Sequence, residues 1–526
     1  MTSTLLYGRE TSRTEILTIL PLFVLSGLLL WLASPGPGWS SVAWFALIPL
    51  IIGCSRISPK RAAQFGFIAG LAHYLLMLYW VVISLSTYGN LPWWLCAMAL
   101  VLLAAYMSLY LALFCAVISW SLRATAPIWI GPLLWVSLDF IRSLLFSGFP
   151  WQDLGYTQFS NILLIQTADL AGHHGITFLI ILTNCLFTAG ILPRQKKRQW
   201  RGNPLLFQGA SAVALLGCAF YYSSIQLRGI TNETTNAPRH QVTVVQGNID
   251  QNQKWLPENQ LATIEKYIEL SVEEAGRQKP HLVIWPETAM PFYPTASHLF
   301  PELLSRTVFS HDFSLLSGAP YFVDTDSDRE FYNSAILIRP DASRSSYFKQ
   351  HLVPFGEYIP FSDILPLPGP VVQSVGNFSR GRSAEPLVDG NARLGILICF
   401  ESIFPDLARR EVKNGANLLV NITNDAWFGR SSASIQHLSM AVLRAVENRR
   451  SLARAANTGI SCFIDPTGRI SLQTPLFVAT KASTDLPLLH LPTFFTRTGY
   501  LFPIFCLILL IPLAIREITR RKTNIE

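Results

Sequence analysis

Apolar runs separated by short polar loops recur along the first 226 residues, and then the texture changes. The runs fall near 15–32, 41–53, 64–85, 92–120, 127–146, 164–192 and 205–225. One more, TGYLFPIFCLILLIPLAI, lies near 498–515. A bilayer takes about 20 helical residues, so these runs predict eight transmembrane helices. The 41–53 run is short and reads as a tilted partner of the first run or as one helped by its flanks. The first run reads as a signal anchor followed by further spans, not as a cleaved leader.

From about residue 240 the apolar runs shorten. QVTVVQGN, HLVIWPE, SLLSGAPYF, FYNSAILIRP, SSYFKQHLVPF, LGILICF and NLLVNITND predict buried strands. PENQLATIEKYIELSVEEAGRQ, SIFPDLARREVKNGA and SIQHLSMAVLRAVENRRS have helical spacing, and Pro257 and Gly276 bracket the first of them. ARAANTG and ISCFIDPTGRI close the region, with DPTG as a hairpin-type turn. Strands alternating with helices predict an α/β layered fold whose sheet is covered by helices. RGITNETTNAPRH reads as a polar linker after the seventh run. The expected organisation is a seven-helix membrane domain at 1–226, an α/β domain at 227–496, and a last span with its tail at 497–526.

Half of the 526 residues are hydrophobic and only 14% are charged. Such a composition suits a membrane protein better than a soluble enzyme. The net charge of +8 falls in short Lys/Arg clusters between apolar runs. No basic patch interleaved with aromatics accompanies it, so the charge reads as membrane topology and excludes nucleic acid as a partner. Arg9 and Arg13, then Arg56, Lys60 and Arg61, then Arg123, then Arg194 to Arg201, and finally Arg516, Arg520, Arg521 and Lys522 mark inner segments. The loops ASPGPGWS and STYGNLPWW carry no Lys or Arg, and the third outer loop has only Arg142 at its edge. This alternation predicts cytoplasmic termini and places 226–496 outside the membrane, in a bacterium the periplasm. FSGFPWQDLGYTQFSN, after the fifth run, is either an interfacial belt or a substrate-contacting loop.

Six of the eight cysteines lie in or beside apolar runs, and only Cys399 and Cys462 fall in the polar middle region. No disulfide framework and no C-x-x-C metal spacing follows. Three ionisable residues stand just after strand-like runs: Glu287 after HLVIWP, Lys349 in SSYFKQHLVPF, and Cys399 at the end of LGILIC. Layered α/β folds gather strand-end side chains at one sheet edge, so these three can converge. A thiolate there would be a nucleophile, with Glu287 a candidate base and Lys349 a candidate stabiliser of thiolate and oxyanion. Taken singly, each has a plain alternative: Cys399 as a core cysteine or a partner of Cys462, Glu287 as a cap, Lys349 as a solvated charge.

VIWPETAMPF, YFKQHLVPFGEYIPF and GILICFES together resemble the nitrilase superfamily, in which a Glu, a Lys and a Cys in that chain order form the catalytic triad. NLLVNITNDAWFG and RAVENRRSLARAANTGIS resemble its later motifs. The resemblance implies an α-β-β-α sandwich. With the spans on either side, nearly the whole chain resembles the apolipoprotein N-acyltransferase family of bacterial envelopes. That implies Glu287 as general base, Lys349 as stabiliser, Cys399 as nucleophile, and Glu357 and Glu401 as supporting acids. Trp255 resembles a Trp the family needs near its substrate entrance. Phe400 stands where many members have Tyr, keeping the ring and losing the hydroxyl.

The implied partners are a phospholipid acyl donor, most simply phosphatidylethanolamine, a diacylglyceryl-modified apolipoprotein acceptor, and the bilayer. No metal or organic cofactor is implied. A membrane-tethered amidohydrolase is the alternative reading, and a transporter with a dead enzyme-like domain is a second, for which Asp139 and Asp169 would be the in-span acids. The apolar segment DILPLPGPVVQ reads as a lid, a lipid-dipping segment or an ordinary Pro-rich loop.

Overall fold

The computed structural model describes residues 13–122, 128–192, 204–278, 280–325, 329–359 and 378–523. The DILPLPGPVVQ segment, Arg9, Arg123 and the basic cluster Arg194 to Arg201 lie outside them. In the N-terminal part a helix stands at each apolar run. These are α1 (Arg13–Ala33), α2 (Ile48–Arg56), α3 (Pro59–Met77), α4 (Trp80–Ile83), α5 (Trp93–Leu122), α6 (Ile130–Leu144), α7 (Ala168–Ile191) and α8 (Pro204–Asn236).

Among the described residues, four helices, α5 to α8, are long and apolar enough to cross a membrane; α3 with α4, bent by 49° at their junction, makes a fifth if the pair is one span. The first, second and last apolar runs form shorter apolar helices. The start of α3 follows from local chemistry: Ser58 accepts from the Arg61 N–H at 3.4 Å and Pro59 occupies the first turn. Small residues then let helices approach. A Cβ on Gly70 would come 2.7 Å from Ser108 Oγ, so only glycine permits this α3–α5 contact.

One expectation is corrected. RGITNETTN is not a polar linker: α8 continues through it as helix to Asn236. The chain breaks helix only before Pro238 and enters strand β1 (Arg239–Gln246) directly.

The remaining strands are β2 (Leu282–Ile284), β3 (Ser314–Asp324), β4 (Arg329–Ile338), β5 (Arg344–Phe348), β6 (Leu387–Asp389), β7 (Ala392–Ile398), β8 (Leu418–Thr423), β9 (Ser451–Ala456), β10 (Cys462–Ile464), β11 (Ile470–Ser471) and β12 (Thr480–Pro487). They form two six-stranded sheets, ordered β12-β1-β2-β3-β4-β5 and β11-β10-β9-β8-β7-β6. The centre of each sheet is parallel: β1 with β2 and β3, and β7 with β8 and β9. Such strands are buried on both faces, which is why they read as continuous apolar runs.

The helices of this half are α9 (Pro257–Gln278), α10 (Leu299–Arg306), α11 (Val308–His311), α12 (Pro405–Lys413), α13 (Ala433–Asn448), α14 (Phe494–Thr498) and α15 (Leu501–Thr523). Val244, Ile284 and Leu316 of the first sheet meet Ile396, Val420 and Ala453 of the second in one core. Helices α9 and α10 cover the outer face of the first sheet, packing Ile264, Ile268 and Leu303 on Val283 and Leu315. Helices α12 and α13 cover the second, giving the four layers. Their own outer side is not solvent: Leu438, Val442 and Val446 of α13 belong to the same core as Ile165, Ile176 and Ile180 of the membrane half.

Polar contacts pin this junction. Arg449 pairs with Asp169 at 2.7 Å, and the other in-span acid, Asp139, pairs with Arg142 at 3.0 Å. Gln152 Nε2 donates to Gln436 O at 2.7 Å and to Ser439 Oγ at 2.9 Å. Both acids read as candidate transport groups are thus held in ion pairs.

Candidate active site

The three strand-end residues share one cavity of about 590 Å³. Glu287 lies just past β2, Lys349 is the first residue after β5, and Cys399 the first after β7. Close approach of β3 makes room for the first: a Cβ on Gly318 would fall 2.6 Å from Glu287 Cα and 2.4 Å from Thr288 N. Cys399 sits at φ +51°, in the left-handed region, where the chain turns sharply from strand into a short helical turn. Non-glycine residues take this conformation rarely, and mostly where the surroundings hold them there.

The Glu287 carboxylate accepts from three donors among the described residues. Oε1 accepts from Asn333 Nδ2 at 2.8 Å and Lys349 Nζ at 3.3 Å, and Oε2 from the Asn424 N–H at 3.0 Å. Lys349 also donates to Glu357 Oε1 at 2.9 Å, and Glu357 accepts from Asn333 Nδ2 at 2.8 Å and from the Val353 N–H at 2.8 Å. Burial works against the Lys349 charge, but Glu357 and then Glu287 outweigh it and hold its pKa above the ordinary lysine value. Burial and then the Glu287 charge push the Cys399 thiol up, with Lys349 pulling the other way. The resting thiol is therefore protonated, and a base must take its proton at the moment of attack.

Trp255, Glu357 and Phe400 also line the cavity; Glu401 does not. Glu401 is fully buried beneath the turn. It accepts from the Ile398 N–H at 2.7 Å, the Gln350 N–H at 2.6 Å and the His351 N–H at 3.1 Å, so it ties the Lys349 loop to the Cys399 turn. Burial raises its carboxyl to about 7. The Phe400 ring stacks on Phe149 at 6.4 Å and meets Phe404 edge-on at 5.2 Å.

The loop GFPW answers the question its aromatics raise. Gly148, Phe149 and Trp151 form one wall of the cavity, with Tyr106 and Leu103 of α5 beside them. The cavity lining therefore joins the charged strand-end residues to apolar side chains from both halves, Leu103, Phe149 and Trp151 among those of the first and Phe355, Phe400 and Trp427 among those of the second.

Several groups carry no sequence signal of their own. Asn333 bridges two carboxylates from the middle of β4. Lys254, fully buried, donates to Thr288 Oγ1 at 2.6 Å and to Glu287 O at 3.3 Å, and burial lowers its pKa to about 7. Asp425 accepts from Arg454 Nη2 at 2.8 Å, lies 3.1 Å from His437 Nδ1, and is held down to about 2, Arg454 overcoming the cost of burial. One further group, Asp153 with His173 and His174, brings three ligand-type atoms within 4.8 Å of one another. It lies outside the cavity lining, and Asp153 is already bonded to Arg142 and to His173, the latter at 2.8 Å.

Two sheets faced by helices, with a Glu, a Lys and a Cys at adjoining strand ends, define a nitrilase-type domain, and residues 241–488 match the carbon-nitrogen hydrolase family. Residues 26–186 match the apolipoprotein N-acyltransferase N-terminal domain. The chain is 40% identical to an apolipoprotein N-acyltransferase of Geobacter metallireducens, over 92% of each chain, and 34% identical to one of Methylococcus capsulatus, over 86% of each. The chain belongs to the apolipoprotein N-acyltransferase family.

Proposed function

We propose that this membrane enzyme moves a fatty acyl chain from a phospholipid to the α-amino group of an apolipoprotein's N-terminal S-diacylglyceryl-cysteine, by way of a thioester on Cys399. Glu287 takes the thiol proton as Sγ attacks the ester carbonyl. The tetrahedral oxyanion forms beside Lys349 and collapses, and the lysophospholipid alkoxide leaves with the proton from Glu287. The acceptor amine then attacks the thioester carbonyl. Glu287 takes the amine proton, the amide forms, and the thiolate leaves against the Lys349 charge and is reprotonated. Both steps use one base and one cation, so the kinetics are ping-pong. The ester is already activated relative to the amide, and the scheme calls on no cofactor.

The observation that carries this reading is the shared cavity: it holds the Glu287–Lys349–Cys399 cluster together with apolar side chains from both halves of the chain. An acyl chain lies along the apolar lining while its carbonyl meets the cluster. Trp255 and Phe400 serve as substrate-facing wall, Glu357 and Glu401 as supports of Lys349 and of the Cys399 turn. Phosphatidylethanolamine is the donor we favour. We propose further that the chain crosses the membrane eight times with both termini cytoplasmic and the catalytic domain in the periplasm, a reading supported by the alternation of Lys and Arg between loops. The domains on this reading are 1–226, 227–496 and 497–526, with α8 running on to Asn236 as a helical link into the second. Family membership sets aside the amidohydrolase reading.

Mass spectrometry of the purified protein with phosphatidylethanolamine tests this. An acyl mass on the Cys399 peptide, discharged by a diacylglyceryl-cysteine peptide, is expected. A Cys399→Ala protein that still transfers acyl groups would sink the mechanism.

A further inference from the structure

Cys399 keeps its left-handed backbone because its carbonyl is held from behind. Ser402 Oγ donates to that oxygen at 3.0 Å, and His437 Nε2 lies 3.1 Å from it. On the other side of the ring, Nδ1 is 3.1 Å from both Arg454 Nη2 and Asp425 Oδ1. Burial and then the Arg454 charge hold His437 below the usual imidazole value, so the ring is neutral. Nε2 also lies 2.8 Å from Ser402 Oγ. With hydrogen on Nε2 the ring donates to the Cys399 carbonyl and Nδ1 accepts from Arg454; with hydrogen on Nδ1 it donates to Asp425 and Nε2 accepts from Ser402 Oγ. Either way the ring braces the Cys399–Ser402 turn, directly or through Ser402.

The face of this ring belongs to the membrane half. Trp151 stacks on His437 at 6.0 Å with planes 26° apart. Trp151 Nε1 donates to Gln436 Oε1 at 2.8 Å, and Gln152 takes the Gln436 carbonyl at 2.7 Å. The loop at 148–152 thus grips α13 at the residue before His437 and presses on the imidazole itself.

We propose that His437 is a positioning residue that carries the docking of the loop at 148–152 to the backbone of the nucleophile, so the cysteine turn is set correctly only when the membrane half is in place. The inference rests on Cys399 being the nucleophile. Displacing the loop would strip Trp151 from one face of the ring, leaving Asp425, Arg454, Ser402 and the edge-on Phe428 to hold it, and would loosen its grip on the Cys399 turn.

The test uses the full chain in phospholipid-containing micelles and compares His437→Phe, which keeps a ring against Trp151 but has no nitrogen, with His437→Gln, which offers an N–H toward the carbonyl. Acyl-enzyme formation is followed by intact mass, and Cys399 alkylation by iodoacetamide reads the thiol without any acyl donor. We expect His437→Phe to slow both acylation and alkylation by about a hundredfold with little change in the KM for phospholipid, and His437→Gln to recover most of the rate. Wild-type acylation by His437→Phe, or a His437→Gln protein no faster than His437→Phe, overturns the proposal. If His437→Phe fails to insert, Trp151→Phe replaces it. That variant keeps the ring and loses the bond to Gln436, and about a tenfold slowing is expected where an unchanged rate overturns the proposal. Cys399→Ser runs alongside: acyl transfer persisting there removes the nucleophile assignment, whereas its loss together with a normal His437→Phe rate removes only the positioning role.

Discussion

Asn333 Nδ2 donates to Glu287 Oε1 at 2.8 Å. With Lys349 and the Asn424 N–H as its other donors, this carboxylate is fixed in place, and the attacking thiol or amine meets an acceptor already oriented for it. Glu287→Gln would put an NH₂ group among those donors and remove the base. We expect no thioester to accumulate on Cys399 in this variant while phospholipid still binds, read by intact mass. A normal thioester there would show that Glu287 is not the base of the first step.

Lys349 is buried between Glu287 and Glu357. Lys349→Met should abolish transfer and also destabilise the protein by about 3–5 kcal/mol, because it leaves buried carboxylates without their cation. Adding Glu357→Gln to Lys349→Met should restore part of the melting temperature and none of the activity. Thermal unfolding and transfer assays on the single and double variants separate the two roles. Recovery of activity in the double variant would refute a direct part for Lys349.

Glu401 gives a pH signature. Its folded carboxyl titrates near 7 against an ordinary 4.5, so the folded state holds a proton that the unfolded chain has already released. Stability from this group is therefore present below about pH 4.5 and is lost as pH rises from about 4.5 to 7. Glu401→Gln, neutral throughout, should flatten the melting temperature across that window. It should also lower it overall, since an amide carries one acceptor oxygen where backbone donors engage both carboxylate oxygens. An unchanged slope would mean that other groups set the pH dependence.

Phe400 faces the rings of Phe149, Phe404 and His351. Phe400→Tyr restores the hydroxyl common in the family. With Phe149 and Phe404 against the ring, we expect less than about a threefold change in transfer rate, within the range of a conservative substitution away from the reacting atoms. By contrast Trp255→Ala opens the cavity wall and should raise the KM for phospholipid about tenfold, with a smaller effect on kcat. Steady-state assays over a range of phospholipid concentrations distinguish the two.

The triad was legible because strand ends are legible. HLVIWPE, SSYFK and LGILIC each end a strand on a chemical group, and the packing of the two sheets brings the ends of β2, β5 and β7 to one cavity. Trp255 and Glu357 were found through motifs, and both line the cavity. Glu401, expected as a supporting acid, lies under the turn, where its partners are the Tyr347 hydroxyl and backbone N–H groups that no sequence pattern marks. Asn333, Lys254 and His437 stayed hidden for a related reason. Asn333 and His437 sit inside a strand and a helix and Lys254 in the turn before α9, and the role of each depends on which segment lies across from it. RGITNETTN misled because its polar side chains describe exposure, and an exposed helix is polar too.

That last segment sets a dimension. Some eleven residues of α8 beyond Ile225 add about 16 Å of helix before β1 begins. A flexible tether would let the catalytic half wander; a strut fixes its altitude. On the proposed topology Cys399 waits at a constant height above the bilayer, like a stylus over a disc. Its two substrates are then sorted by how far each can lift a reactive group while its own tails stay in the lipid, a criterion of reach imposed before any side chain makes contact.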